Sequence, residues 1–208
     1  MSRGSAELTN SRKNEIINAF EKLYQTMSFR NISMREIGEK TSMTRSSIYN
    51  YFQNKEEIFL ALIAREFQSW CDALQEIANH DNMTLTEFAE AIASSLQERR
   101  YFLKLISWNH YELEENNRTE CLAEVQQVTY HAMQTIMRCL DKFFPTMTEI
   151  TKKSFQQHFF IFLYGIDSCT NNTDYQKKAM KYIHIPNVPI QVYDVVYTFI
   201  IHYLKQEV

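Results

Sequence analysis

Apolar side chains recur along this chain at three- and four-residue intervals, the period of helices that bury one face. Ile16, Ile17, Phe20, Leu23, Tyr24 and Met27 form one stripe and predict a first helix from about Ser11 to Met27. Phe59, Ile63, Phe67, Trp70, Leu74 and Ile77 form a longer stripe on a helix running from Lys55 towards Asn79. Thr84 with Glu87 opens a helix carrying Phe88, Ile92 and Leu96, and the aromatic segment YFLKLISWNHY follows. Asn117 with Glu120 opens a long helix through Leu122, Val125, Met133, Ile136, Leu140 and Phe143, stopped at Pro145. Phe155, Phe159, Phe162, Leu163 and Ile166 align on a helix from Glu149 to Ser168. The polar interval NNTDYQKKAMKYIH holds at most a short helix, and Pro186 and Pro189 precede a last helix from Ile190 to Lys205. With 3 Gly and 3 Pro in 208 residues, little interrupts these elements, so the expected class is all-α.

The segment SMREIGEKTSMTRSSIYNYFQNK, Ser33 to Lys55, breaks the long-helix pattern. Ser33 and Glu36 make a capping box, in which each side chain satisfies a backbone N–H of the other residue. Met34, Ile37 and Thr41 share one face of a short helix. After the interruption Thr41-Ser42-Met43, Thr44 caps a second short helix that turns Ile48 and Phe52 inward. Its outer face presents Arg45, Ser46, Tyr49, Asn50 and Tyr51. Two short helices propped across one another, the second rich in donors and rings, are the helix-turn-helix that enters a major groove. By residue type, Arg45 suits a guanine edge or a phosphate, and Asn50 the paired contacts of adenine. Tyr49 and Tyr51 suit phosphates or a thymine methyl. Thr44 and Lys55 suit the backbone, where contacts position without specifying. Arg35, at the exposed start of the preceding helix, faces backbone or base. Arg12, Lys13 and Lys55 fall in predicted first turns, where a cation opposes the helix dipole. A nearby phosphate answers that conflict; for Arg12 and Lys13 a solvated, frayed turn does so equally.

The run IINAFEKLYQTMSFRNISMREIGEKTSMTRSSIYNYFQNKEEIFLAL, Ile16 to Leu62, resembles the DNA-binding domain of the tetracycline-repressor (TetR) family of bacterial transcription regulators. The aromatic block Ile48 to Phe52 and the Asn54-Lys55-Glu56-Glu57 helix start carry the likeness. Ser28 and Ser42 stand where the family commonly has glycine, and so does Ser46. A serine in a left-handed turn costs a fraction of a kcal/mol relative to glycine, which is the expected cost of Ser28 and Ser42. The resemblance implies an N-terminal three-helix domain, residues 1–55, and a C-terminal helical domain, residues 56–208, that binds an effector and dimerises. It also implies a homodimer on an operator in double-stranded DNA, as a repressor released by a small hydrophobic or amphipathic effector. The alternative is an adaptor of the same fold whose body binds a protein partner.

Charge fits this division. Residues 1–55 hold 9 Lys and Arg against 5 Glu, whereas the remainder holds 13 Lys and Arg against 20 Asp and Glu. A basic head on an acidic body is the distribution expected when only the head meets phosphate. No stretch reaches the length of a membrane span and the N-terminus has no apolar signal core, so a cytoplasmic protein is expected. Cys71, Cys121, Cys139 and Cys169 form no CxxC pair, and read as reduced thiols.

The body is rich in rings: the chain has 14 Phe, 12 Tyr and 2 Trp. Tyr101, Phe102, Trp108, His110, Tyr111 and Glu112 mix ring faces with polar handles, a composition shared by ligand pockets and by filled helical cores. They are the candidate effector contacts. His110, Glu112 and Glu114 fall on different faces of a helix and do not make a closed metal site. No nucleophile elbow, P-loop or dinucleotide-binding glycine pattern occurs, so neither an enzymatic activity nor a cofactor is expected. The last two long helices carry apolar residues beyond one stripe, Phe160 and Ile161 on one, Val195 and Ile201 on the other. A four-helix dimer interface is expected there, with Phe159, Phe160, Phe162, Val196 and Ile200 as its candidates.

Overall fold

A computed structural model describes residues 3–107 and 117–205, with side chains from residue 7. Among the described residues there is no strand; ten α-helices and one 3₁₀ turn make up the regular structure. They fall into two compact units. The first comprises Met1–Arg65 and Asn109–Gln127, the second Glu66–Trp108 and Val128–Val208.

The first unit opens with α1, Arg3–Thr26, followed by a 3₁₀ turn at Phe29–Asn31, α2 at Met34–Glu39 and α3 at Arg45–Ile48. The buried stripe of α1 is the expected one, Ile16, Ile17, Phe20, Leu23 and Tyr24. The helix begins earlier than expected, so Arg12 and Lys13 lie in its interior and no dipole conflict arises there. Phe20, Tyr24, Phe29 and Phe59 form one ring cluster, Phe29 and Phe59 with centroids 5.0 Å apart. Phe59 belongs to α4, Lys55–Asn79, whose first residues lie in this unit. Ser28 is extended (φ −68°, ψ 148°), and the one non-glycine residue with positive φ among those described is His184. The glycine-for-serine cost expected at Ser28 and Ser42 is therefore absent: neither turn is left-handed.

The second unit contains the rest of α4, then α5 at Leu85–Gln97 and α6 at Arg100–Ile106. After residues 108–116, α7 spans Thr119–Phe143, α8 Glu149–Thr170, α9 Asp174–Tyr182 and α10 Val192–Leu204. Thr84 and Glu87 form the expected capping box on α5. The centre is aromatic. Trp70 is buried against Phe67, Phe102 and Phe160, and its indole N–H donates to Ser95 Oγ at 3.2 Å. A buried indole needs such a partner, which explains a serine inside this core.

Two expectations change here. Phe102 is 1% exposed, with its ring 4.8 Å from that of Phe67, so it fills the core; adjacent residues on a helix point about 100° apart. Phe159, Phe160, Val196 and Ile200 are likewise buried within the single chain. Val192, Val196, Ile200 and Leu204 form the buried stripe of α10, which lies against α5. Phe162 is half-buried and stacks on Phe199 at 4.3 Å. Apolar residues of these helices left unburied within the chain include Ile150, Ile161 and half-buried Phe162 on α8, with half-buried Val195 and Ile201 on α10. The sequence showed surplus apolar positions, but these helices bury more than one face within their own chain.

Candidate nucleic-acid interface

The outward face of the first unit is built from α2, the turn after it and α3. Ser33 and Glu36 form the predicted capping box, with Ser33 N donating to Glu36 Oε2 at 2.8 Å. Thr44 caps α3, accepting from Ser47 N at 3.2 Å, and its hydroxyl also meets Ser46 Oγ and Ser47 Oγ. Ile37 and Ile48 are the inward anchors of the two helices, both fully buried. One turn of α3 is therefore fixed from both sides, by a cap outside and an anchor beneath.

Arg45, Ser46, Tyr49 and Asn50 are exposed side by side on that turn and the residues just after it. Arg45 Nη2 donates to Tyr49 Oη at 3.2 Å, and the guanidinium lies 5.7 Å from the Tyr49 ring centroid. These residues, four apart, share one face. The structure thus brings Thr44, Arg45, Ser46, Tyr49 and Asn50 together. Arg35 is exposed at the start of α2, with Nε donating to Glu39 Oε1 at 3.0 Å. Tyr51 is half-buried. Its carbonyl has a partner described below.

Lys55 has a different setting. Its Nζ donates to the carbonyls of Phe29 and Ile32, each at 2.9 Å, with that of Arg30 at 3.4 Å, and sits 4.6 Å from the Phe29 ring centroid. The ammonium's three donors are directed at the end of the 3₁₀ turn, which answers the dipole conflict without a phosphate.

Glu15, Glu57 and Arg118, to which sequence reasoning gave no long-range role, hold the head together with Arg12 and Ser42. Glu15 Oε1 accepts from Ser42 N at 2.6 Å, and Arg12 Nη1 donates to both Glu15 Oε2 and Ser42 Oγ, at 2.9 and 3.0 Å. This pins the turn between α2 and α3 onto α1. The Ser42 amide and hydroxyl, with the Arg12 guanidinium, hold the Glu15 carboxyl below its ordinary value. Glu57 is 0% exposed and accepts from Arg118 Nε and Nη2, both at 2.7 Å, and from Gln53 N at 2.7 Å. Arg118 Nη2 also donates to the Tyr51 carbonyl at 3.0 Å. Burial opposes the Glu57 charge, but the Arg118 fork and the Gln53 amide outweigh it, and the carboxyl lies below its ordinary value. The forked pair raises Arg118 in turn. Sequence marked Glu57 only as part of the helix start Asn54 to Glu57, where Asn54 Oδ1 accepts from Glu57 N at 2.8 Å. Arg118 lies 61 residues away, and no local pattern reveals it.

Of the candidate effector contacts, Trp108, His110, Tyr111 and Glu112 lie outside the described residues. Tyr101 lines a cleft of about 210 Å³ in the second unit, with Arg100, Leu103, Lys104, Asp167 and Val192. Burial pushes the Asp167 carboxyl up, against Asn171, Lys104, Ser107 and Arg100, which lower it.

An all-α chain with a capped, outward-facing helix-turn-helix on a basic head defines a DNA-binding regulator. Residues 16–62 match the bacterial regulatory proteins of the tetR family, and residues 64–201 match the tetracyclin repressor-like C-terminal domain. The chain belongs to the TetR family of DNA-binding transcriptional regulators. A sequence comparison with curated proteins gives no match. Among solved structures, the chain is similar to the fatty acid degradation regulator FadR from Bacillus halodurans, with TM-score 0.60, 16% identity and 92% and 94% of the two chains covered. It is similar to a TetR/AcrR-family regulator from Thermobifida fusca, at 0.60, 15%, 93% and 97%. It also resembles RolR in complex with resorcinol, at 0.52, 16%, 94% and 95%. At these identities the likeness is one of fold. No helix among the described residues is long and apolar enough to cross a membrane.

Proposed function

We propose that this regulator is a repressor that binds a near-palindromic operator as a homodimer and is released by a small hydrophobic or amphipathic effector. Residues 1–55 read DNA; residues 56–208 dimerise and take the effector. The observation that carries the reading is the outward turn of α3, where Arg45, Ser46, Tyr49 and Asn50 stand exposed on a capped, anchored helix. Two such turns, about 34–36 Å apart, meet successive major grooves. Arg45 and Asn50 read base edges, while Thr44, Tyr49, Tyr51 and Arg35 hold the backbone.

Release follows from linkage: an effector lowers operator affinity only as far as it prefers a body conformation that spaces the heads differently. The cleft beside Tyr101, with Leu103 and Val192 on one side and Arg100, Lys104 and Asp167 on the other, suits a small amphipathic molecule. The aromatic ligand of the RolR complex supports a small-molecule effector here. The test is to select an operator from random duplexes, then titrate it by fluorescence anisotropy against scrambled DNA. The expected result is an affinity ratio of about 10³ or more for the operator, lost in part with Arg45→Ala. Equal binding of both duplexes by the native chain would refute the reading.

A further inference from the structure

From Thr173 to Gln191 every residue is exposed except half-buried Met180. This stretch comprises α9 and the segment leading into α10, and α9 buries none of its residues. It is nevertheless rich in large apolar side chains. Tyr175 is 85% exposed, Tyr182 87% and Val188 66%, and Ile183, Ile185 and Ile190 are exposed with them. Most of the large apolar side chains left exposed among the described residues lie in these few turns.

The stretch is also ordered. Thr173 and Gln176 form a capping box at the start of α9. At its end His184 adopts φ 57°, His184 N donates to the Lys181 carbonyl and Ile185 N to the Met180 carbonyl, which is a Schellman stop. Asn172 Nδ2 donates to Asn187 Oδ1 at 2.8 Å and ties the two ends together. Ordering a segment costs about 1–2 kcal/mol per residue in backbone entropy, which folded segments normally offset by burial. This one buries almost nothing in its own chain. A surface that is shaped, apolar and uncovered is prepared for a partner.

Charge and area indicate which partner. The arm carries Lys177, Lys178 and Lys181 against Asp174, whereas the rest of residues 56–208 holds ten Lys and Arg against nineteen Asp and Glu. A basic, apolar arm is thus complementary to the body of its own kind. The two tyrosines alone present roughly 300–400 Å² at the usual size of aromatic side chains. The four aliphatic residues bring the arm close to the ~800 Å² per partner of a standard interface. The arm joins α8 to α10, the helices whose Ile161, Phe162, Val195 and Ile201 are left unburied or half-buried within the chain. We propose that residues 173–191 are an arm that clasps the acidic body of a second copy of this chain, each protomer holding the other across a two-fold axis. The inference rests on the homodimer reading and adds the contact that holds it.

Two measurements on the full chain test it. Sedimentation equilibrium compares the native protein with the double substitution Tyr175→Ser/Tyr182→Ser; both side chains are exposed, so the far-ultraviolet circular dichroism spectra of the folded chains should coincide. The dimer dissociation constant should rise at least 10-fold in the variant. Incorporation of p-benzoylphenylalanine at position 182 should yield, on irradiation, a covalent dimer of two copies. An unchanged dissociation constant without cross-linked dimer overturns the arm and leaves the homodimer standing. A native protein that is monomeric at micromolar concentration overturns both. A short basic amphipathic helix also suits an anionic bilayer. Co-sedimentation with phosphatidylserine vesicles that the double variant loses, with no cross-linked dimer, would therefore overturn the proposal in favour of a membrane.

Discussion

The two units of this regulator both pack rings in their cores, but polar contacts play different parts in them. In the DNA-reading unit the ring cluster of Phe20, Tyr24, Phe29 and Phe59 is joined by directed polar contacts that position the turns around α3: Glu15 on the Ser42 amide, Lys55 on the Phe29 and Ile32 carbonyls, Arg118 on Glu57 and the Tyr51 carbonyl. In the second unit the larger ring core sets the helix packing, with Trp70 amid Phe67, Phe102 and Phe160 and Phe155 stacked on Phe159, and polar contacts such as Arg138 on Gln75 lie at its edges. Hydrogen bonds fix distance and angle, whereas apolar packing tolerates repacking at constant volume. A recognition helix needs the first property. A body proposed to admit an effector and change shape benefits from the second.

Trp70→Ala strikes the ring core and should have the largest effect, destabilising by about 3–5 kcal/mol in urea unfolding. The contrast fails if a polar substitution in the head costs as much. Arg118→Ala comes next, because it leaves Glu57 buried without its counter-charge; a loss of about 3 kcal/mol is expected, the lower end of the range since Arg118 is partly exposed. Replacing both partners, Glu57→Met/Arg118→Leu, should recover most of it, and a double-mutant cycle measures the coupling. If the pair adds no coupling energy, the polar clamp is an ornament of the fold.

At the operator, Arg45→Ala should cost about 1–3 kcal/mol per half-site and relax preference at one base pair. Lys55→Ala sharpens the comparison. With its ammonium on carbonyls, it should lower head stability while leaving the salt slope of DNA binding unchanged. A slope reduced by about 1 would instead return Lys55 to the phosphates.

The smallest effect is acid sensitivity. Glu15 and Glu57 both lie below the ordinary value of 4.5 in the folded chain. Their contribution is complete above that value and is lost as pH falls through their lowered folded values. Melts between pH 6 and pH 3 should show the head destabilised at the acid end, and Glu57→Gln should flatten that dependence.

What could be read in advance was local. The caps at Ser33, Thr44 and Thr84, the stripe of α1 and the short helix before Pro186 each depend on residues within one or two turns, and the structure contains them. The α3 surface was legible for the same reason: a cap, an inward anchor and the residues between them define it. The Glu57–Arg118 pair was not, because two residues 61 positions apart carry no shared period. Lys55 misled because a cation at a helix start has two answers, a phosphate or nearby carbonyls, and only the fold of the 3₁₀ turn supplies the second. Phe160 and Val196 misled because burial within a chain and burial between chains leave the same apolar mark.

The reach of Arg118 has a consequence for the order in which the molecule is made. At about 5–20 residues per second of synthesis, roughly 3–12 s separate Glu57 from Arg118. Until then the nascent head holds a glutamate destined for burial with no cation to meet it, and closing a loop of this length slows the step further. Contrary to the usual progression from the N-terminus, this DNA-reading unit is completed only after much of the body's first helices has left the ribosome.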